Sequence, residues 1–151
     1  MIMETSQISG IDDTLRITEA DLCDRAKLEI HDSIMTTGDQ NADAQFTADL
    51  NGEDCACNIV SRTVARDHSK QHYTSTLNGN NRCAGHTECD SILMDQAYVL
   101  ATPQLSAATT EASLIHEAAI GKIAGEQLIK LMTLGLTEEE AEEQIISGFL
   151  K

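Results

Sequence analysis

The sequence predicts a strand-built body followed by a helical tail. Three observations carry this. Upstream of Leu114 the chain is polar and rich in Ala, Thr and Asn, with apolar residues alternating at strand period. Within that region FTADLNG (residues 46–52) recurs as YTSTLNG (residues 73–79) at an offset of 27. From Leu114 the pattern changes to two short amphipathic helices. Taken alone, an Asn-Gly pair favours a hairpin and hence an antiparallel sheet. A repeat at constant spacing in the 20–30 range is what a coil of a parallel solenoid requires, and it moves the balance toward a β-helix.

Taken in order, residues 1–13 are expected to form a loose leader. Alternation begins in residues 14–37, where Leu15 and Ile17, then Ala26, Leu28 and Ile30, then Ile34 mark short strands. Gly38-Asp39-Gln40-Asn41 is a turn. The two repeat-bearing segments follow, then further strand residues at 97–101 and Leu105. Pro103, the only proline, belongs at a corner or an edge. The body is therefore placed at residues 14–113 and a helical subdomain at 114–151.

The tail follows from local rules. Leu128, Leu131, Met132 and Leu134 fall at helical spacing, and Gly135 sits where a left-handed cap belongs. Thr137 is a good N-cap, and Glu140 three residues later completes a capping box. Glu138, Glu139 and Glu140 suit the positive end of the second helix dipole. Ala141, Ile145, Ile146 and Phe149 make its apolar face. Helices of about ten residues are marginal alone in water, so these must dock on the body or on a partner.

Composition narrows the function classes. At 151 residues the chain is one domain with a real core, though without Trp and with only two Phe and two Tyr. Small residues must therefore pack closely. A net charge of −15 opposes binding to nucleic acid or to an anionic membrane, both of which need Lys and Arg. No run of about 20 apolar residues is present, so no membrane-spanning helix is expected. The acidic start lacks a signal-peptide pattern, which points to the cytoplasm. The five cysteines (Cys23, Cys55, Cys57, Cys83 and Cys89) include no C-x-x-C pair, so thiols or metal ligands are expected rather than a disulfide framework.

The sequence contains none of the phosphate-binding glycine motifs, no G-x-S-x-G and no H-E-x-x-H. What remains is a set of soft and borderline ligands. Cys89, His116 and Glu117 combine thiolate, imidazole and carboxylate, a set suited to iron or zinc. The ordinary alternatives are a buried Cys acting as a small hydrophobe and a His-Glu pair on the surface. Cys55 and Cys57, two apart, share one face of a strand. With a coil of 26 to 27 residues, Cys57 and Cys83 would lie on neighbouring coils about 4.8 Å apart. A packed thiol ladder in a tight interior is their ordinary reading. His31, His68, His72 and His86 carry no motif.

Residues 61–94 and 114–150 closely resemble the C-terminal part of the SufB/SufD family, scaffold subunits of the SUF iron–sulfur cluster assembly machinery. The resemblance runs from about Arg16 to the C-terminus and is most specific over the last 40 residues. It implies a right-handed parallel β-helix of few coils with a C-terminal two-helix subdomain. It also implies a SufC-type ABC ATPase docking on the helices through Leu128, Leu131, Met132, Leu134, Ile145 and Phe149, and a SufB/SufD-type dimer partner. Cys89, in TECDSIL, and His116 and Glu117, in LIHEAAIGKI, occupy the family positions implicated in holding a transient iron–sulfur cluster. Cys55, Cys57 and Cys83 are accessory thiols in this view. Glu117 makes the chain more SufB-like, since SufD-like sequences typically have His-Gly there. The departure is length, because family members continue well upstream. The expected role is scaffold or transfer protein rather than catalyst; the alternative is a SufD-like adaptor that binds the ATPase but no cluster.

Overall fold

The computed structural model describes residues 1–7 and 12–151. Among these the strands are β1 (Ile2–Gln7), β2 (Asp13–Leu22), β3 (Lys27–Thr36), β4 (Asn41–Leu50), β5 (Cys55–Ala65), β6 (Lys70–Gly79), β7 (Cys83–Leu93), β8 (Tyr98–Ala107) and β9 (Ala112–Gly121). Two helices follow, α1 (Gly125–Thr133) and α2 (Glu138–Phe149). Successive strands alternate between two parallel sheets, ordered β1-β3-β5-β7-β9 and β2-β4-β6-β8. The chain is a parallel β-helix with two C-terminal helices. Every strand meets its neighbour one coil away, and partners lie 27 to 29 residues apart.

The repeat that signals this architecture is out of step with the true register. Phe46 pairs with Ser75 and Tyr73 with Ala44, so FTADLNG and YTSTLNG are displaced by two residues from the sequence alignment. A shift of two preserves the inward face, and the two rings still meet inside, with centroids 5.7 Å apart. Residues 2–7, expected within a loose leader, instead form β1, with Met3 and Thr5 turned inward and the Thr5 hydroxyl donating to Asp32. Residues 8–11 of that leader lie outside the described residues. Pro103 stands in β8, an edge strand of its sheet, where a missing N–H costs no ladder bond to a further strand.

Alternation builds the interior. In β4, Ala42, Ala44, Phe46, Ala48 and Leu50 point inward while Asp43, Gln45, Thr47 and Asp49 point out. Leu22, Leu28, Ile30, Leu50, Ile59 and Leu77 pack into one apolar region, each contributing roughly 1.5–3 kcal/mol. A second region is polar. Asp32 is 1% exposed and is held by Arg16, Thr5 and Ser61. Thr63 donates to Ser91 at 2.9 Å, Gln71 donates to Thr36 at 2.8 Å, and the Tyr73 and Thr87 hydroxyls meet at 2.8 Å.

The corners repeat too. Gly38, Asp67 and Asp95 adopt φ of 59°, 59° and 56° at one corner, while Arg25 and Asp54 adopt 58° and 57° at the other. Asp67 and Asp95 each brace the coil before them: the Gly38 N–H donates to Asp67 at 2.7 Å and the Asp67 N–H to Asp95 at 3.2 Å. At Gly52 a Cβ would lie 2.0 Å from the Cys23 carbonyl carbon, so only glycine permits the coils to approach there.

The helical subdomain begins later than residue 114. Alternation continues through residues 112–116, so β9 completes another coil and the helices start at Gly125. The caps are as expected. Gly135 takes φ 100°, the Glu140 N–H donates to the Thr137 hydroxyl at 3.2 Å, and the Thr137 N–H donates to the Glu140 carboxylate at 2.8 Å. Helix α2 buries Ala141 and Ile146 and returns to the body, where Ser33 donates to the Leu150 carbonyl at 3.0 Å and Arg66 lies 3.9 Å from Glu142. Helix α1 buries nothing fully; Ile129, Met132 and Leu134 are exposed.

Candidate functional site

Cys89 sits midway along β7 on its inward face and is fully buried. It belongs to a row of register partners, Thr5, Asp32, Ser61, Cys89 and Ala118, that climbs the first sheet one coil at a time. The row passes from hydroxyl and carboxylate to thiol, and its last member, Ala118 on the edge strand β9, is exposed. Among the described residues the Cys89 sulfur makes one hydrogen-bond contact, with the Ser91 hydroxyl at 3.9 Å. Burial pushes its thiol up to about 11, opposed by the Ser91 contact and reinforced by Asp90 and Asp32.

His116 also faces inward, from β9, opposite Thr87. Cys89 and His116 therefore share the inner face of adjacent strands on a diagonal, about 8 Å apart at Cα by standard strand spacing and rise. The His116 Nδ1 is buried and has no hydrogen-bond partner among the described residues. Glu117 cannot join them within this arrangement. Adjacent residues of a strand point to opposite faces, and Glu117 stands opposite Glu88 on the outer face with 66% of its side chain exposed. The three sequence candidates are thus divided by the sheet, two inside and one outside.

The accessory thiols lie elsewhere in the interior. Cys55 is the register partner of Cys83, whereas Cys57 is opposite Gly85, because this coil is 28 residues long rather than 26 or 27. All three are buried within the apolar cluster. Burial raises the Cys55 thiol, with Cys83 adding, and pushes Cys57 up to about 11, with Cys55 adding. Cys23 is exposed.

Sequence patterns missed a second group. On the outer face, His86 and Glu88 of β7 and Glu117 of β9 bring their ligand atoms within 4.8 Å of one another. The His86 Nε2 is 3.7 Å from the Glu117 carboxylate, and its Nδ1 is 2.8 Å from the Asn58 amide oxygen. Burial, a hydrogen bond with Asp90 and the Asp90 charge raise the Glu88 carboxyl above its usual range, against the pull of His86 and Arg62. The signal was present as H-x-E, two residues on one strand face, but it means little until β9 is placed alongside.

Residues 14–149 match the family described as SUF system FeS cluster assembly, SufBD core domain. The chain belongs to the SufBD family. Among similar proteins, an iron–sulfur cluster assembly SufBD family protein of Methanothermobacter thermautotrophicus is 41% identical over 103 residues, covering 67% of this chain and 25% of its own length. A SufBD family protein of Pyrococcus horikoshii is 35% identical over 132 residues, 87% of this chain and 40% of the relative. The iron–sulfur cluster assembly protein SufB of Bacillus subtilis is 34% identical over 97 residues, 62% of this chain and 21% of that protein. The matched part of this SufBD chain thus spans between a fifth and two-fifths of these relatives. No helix among the described residues is long and apolar enough to cross a membrane.

Proposed function

We propose that this SufBD chain serves iron–sulfur cluster assembly as a scaffold or transfer element, a carrier rather than a catalyst. It would work in the cytoplasm with a SufC-type ABC ATPase and a SufB/SufD-type dimer partner. The observation that carries the reading is the placement of Cys89 and His116 on the inner face of adjacent strands, with the His116 Nδ1 buried and, among the described residues, unpartnered. Thiolate plus imidazole suits borderline iron, and mixed ligation suits a cluster that must leave again. Because Cys89 is buried and its thiol protonated at neutral pH, ligation requires the last coil to open. Glu117 would contribute a carboxylate only once that opening frees β9 from the ladder, since in the closed coil it stands on the outer face. The exposed apolar side chains of α1 and its C-cap, Met132 and Leu134, support docking of the ATPase there, together with the partly buried Leu128, Leu131, Ile145 and Phe149.

The experiment is anaerobic reconstitution with iron and sulfide, counting both and recording visible absorption, with and without the ATPase. Cys89→Ala should lose bound iron and sulfide while keeping the far-ultraviolet spectrum of the parent. Unchanged cluster content in that variant removes Cys89 from the site. The full burial of Cys89 favours one rival, a SufD-like adaptor that binds the ATPase without a cluster. It predicts normal ATPase binding and no visible absorption in the parent chain.

A further inference from the structure

From the outer face of the first sheet we infer a binding site for a first-row divalent cation, formed by His86, Glu88 and Glu117 and separate from the thiol of Cys89. Three observations converge on it. The first is geometry. His86 and Glu88 project from the same face of β7, and Glu117 stands directly opposite Glu88 on β9, which places the three ligand atoms within 4.8 Å. Metal–oxygen and metal–nitrogen bonds of about 2.0–2.2 Å put ligand atoms roughly 3–3.6 Å apart, so the 3.7 Å between His86 Nε2 and Glu117 is close to that spacing, and side-chain rotation must draw the whole group in from its 4.8 Å span.

The second is orientation. With the Asn58 amide oxygen 2.8 Å from Nδ1, that nitrogen carries the ring proton and donates it, leaving Nε2 toward the carboxylates. An outer acceptor that fixes tautomer and ring plane is the usual support of a metal-binding imidazole. The third is charge. Glutamates directly opposite on neighbouring strands repel, and Asp90 lies two residues from Glu88 on the same face, facing Arg62 across the ladder. A cation held by Glu88 and Glu117 relieves that repulsion, in a chain whose net charge of −15 already gathers cations.

One imidazole and two carboxylates with no thiol favour Fe2+, Mn2+ or Zn2+ over soft Cu(I). The strand positions are rigid, and the exposed side of Glu117 leaves coordination positions open to water or to a second donor. The site stands whether or not Cys89 holds a cluster, although Glu117 is common to both proposals.

Titrating the intact chain with Co2+ alone, under reducing conditions, tests it. One saturable equivalent is expected, with His86→Ala weakening binding at least tenfold and Asn58→Ala weakening it severalfold. Cys89→Ala and the control Glu19→Gln should leave it unchanged. In the parent chain, the His86 ring protons should show Co2+-induced shifts that His31 does not. Binding that survives His86→Ala, that is lost in Cys89→Ala, or that leaves the His86 signals unmoved overturns the assignment. Loss of cluster content in Cys89→Ala with Co2+ binding intact separates the two sites.

Discussion

A thiol inside a β-helix is a different reagent from a thiol on its surface. Cys57 and Cys89 ionise near 9 when unfolded but are pushed up to about 11 by burial in the fold. The native state therefore keeps protons that the unfolded state releases. Their contribution is fully present below pH 9 and is lost as pH rises through about 11, by a few kcal/mol for the pair at about 1.4 kcal/mol per pH unit. The urea midpoint should fall more steeply over that window in the parent than in Cys57→Ala/Cys89→Ala, and equal slopes would contradict the burial of these thiols. Rapid alkylation of the native chain should consume only Cys23, the one exposed thiol.

The residue scale also shows where sequence patterns stop. Cys89, His116 and Glu117 were identifiable as candidates, but their separation was not, because the His-Glu pair was assigned to the start of a helical tail. Once residues 112–121 form a strand, neighbours must diverge and the sheet stands between thiol and carboxylate. His86 and Glu88 were missed for the complementary reason: their partner is 29 to 31 residues away, and only the register reveals it.

Among the elements, α2 was the most legible. Its cap, acidic first turn and buried face all follow from neighbouring residues. Thr137→Ala removes the side-chain acceptor of the Glu140 N–H and should cost about 1 kcal/mol, read as a lowered midpoint in chemical unfolding. A cost near zero would show that α2 is held by its buried Ala141 and Ile146 and its contacts with Ser33 and Arg66 rather than by its cap. The strands were legible as strands, yet their spacing was not, since matching Phe46 to Tyr73 by residue type gave 27 where the ladder takes 29. Corner length sets register, and a corner aspartate tolerating positive φ looks like any other loop aspartate in sequence.

For the whole molecule the dominant number is charge. Twenty-five acidic and ten basic side chains cover a narrow solenoid, so like charges stack at intervals near the strand spacing of about 4.8 Å. Self-repulsion of this kind is screened within about 10 Å at 0.1 M salt. Melting temperature should therefore rise between low and moderate sodium chloride, before any specific ion is added. A melting temperature that falls instead would mean that pairs such as Arg82 with Glu53 and Asp54 outweigh the net repulsion.

The row that runs from Thr5 to Ala118 ends in a single methyl group, and that modest lid has a kinetic meaning. If Cys89 is reached from the edge of the sheet, where Ala118 is its register partner on β9, a bulkier plug, Ala118→Leu, should lengthen the lifetime of the unmodified thiol. Trimming the plug with Ala118→Gly should shorten it. Mass spectrometry of timed alkylation, resolved to the peptide bearing Cys89, would read the difference directly. The gatekeeper of the buried sulfur would then be the plainest side chain in its vicinity.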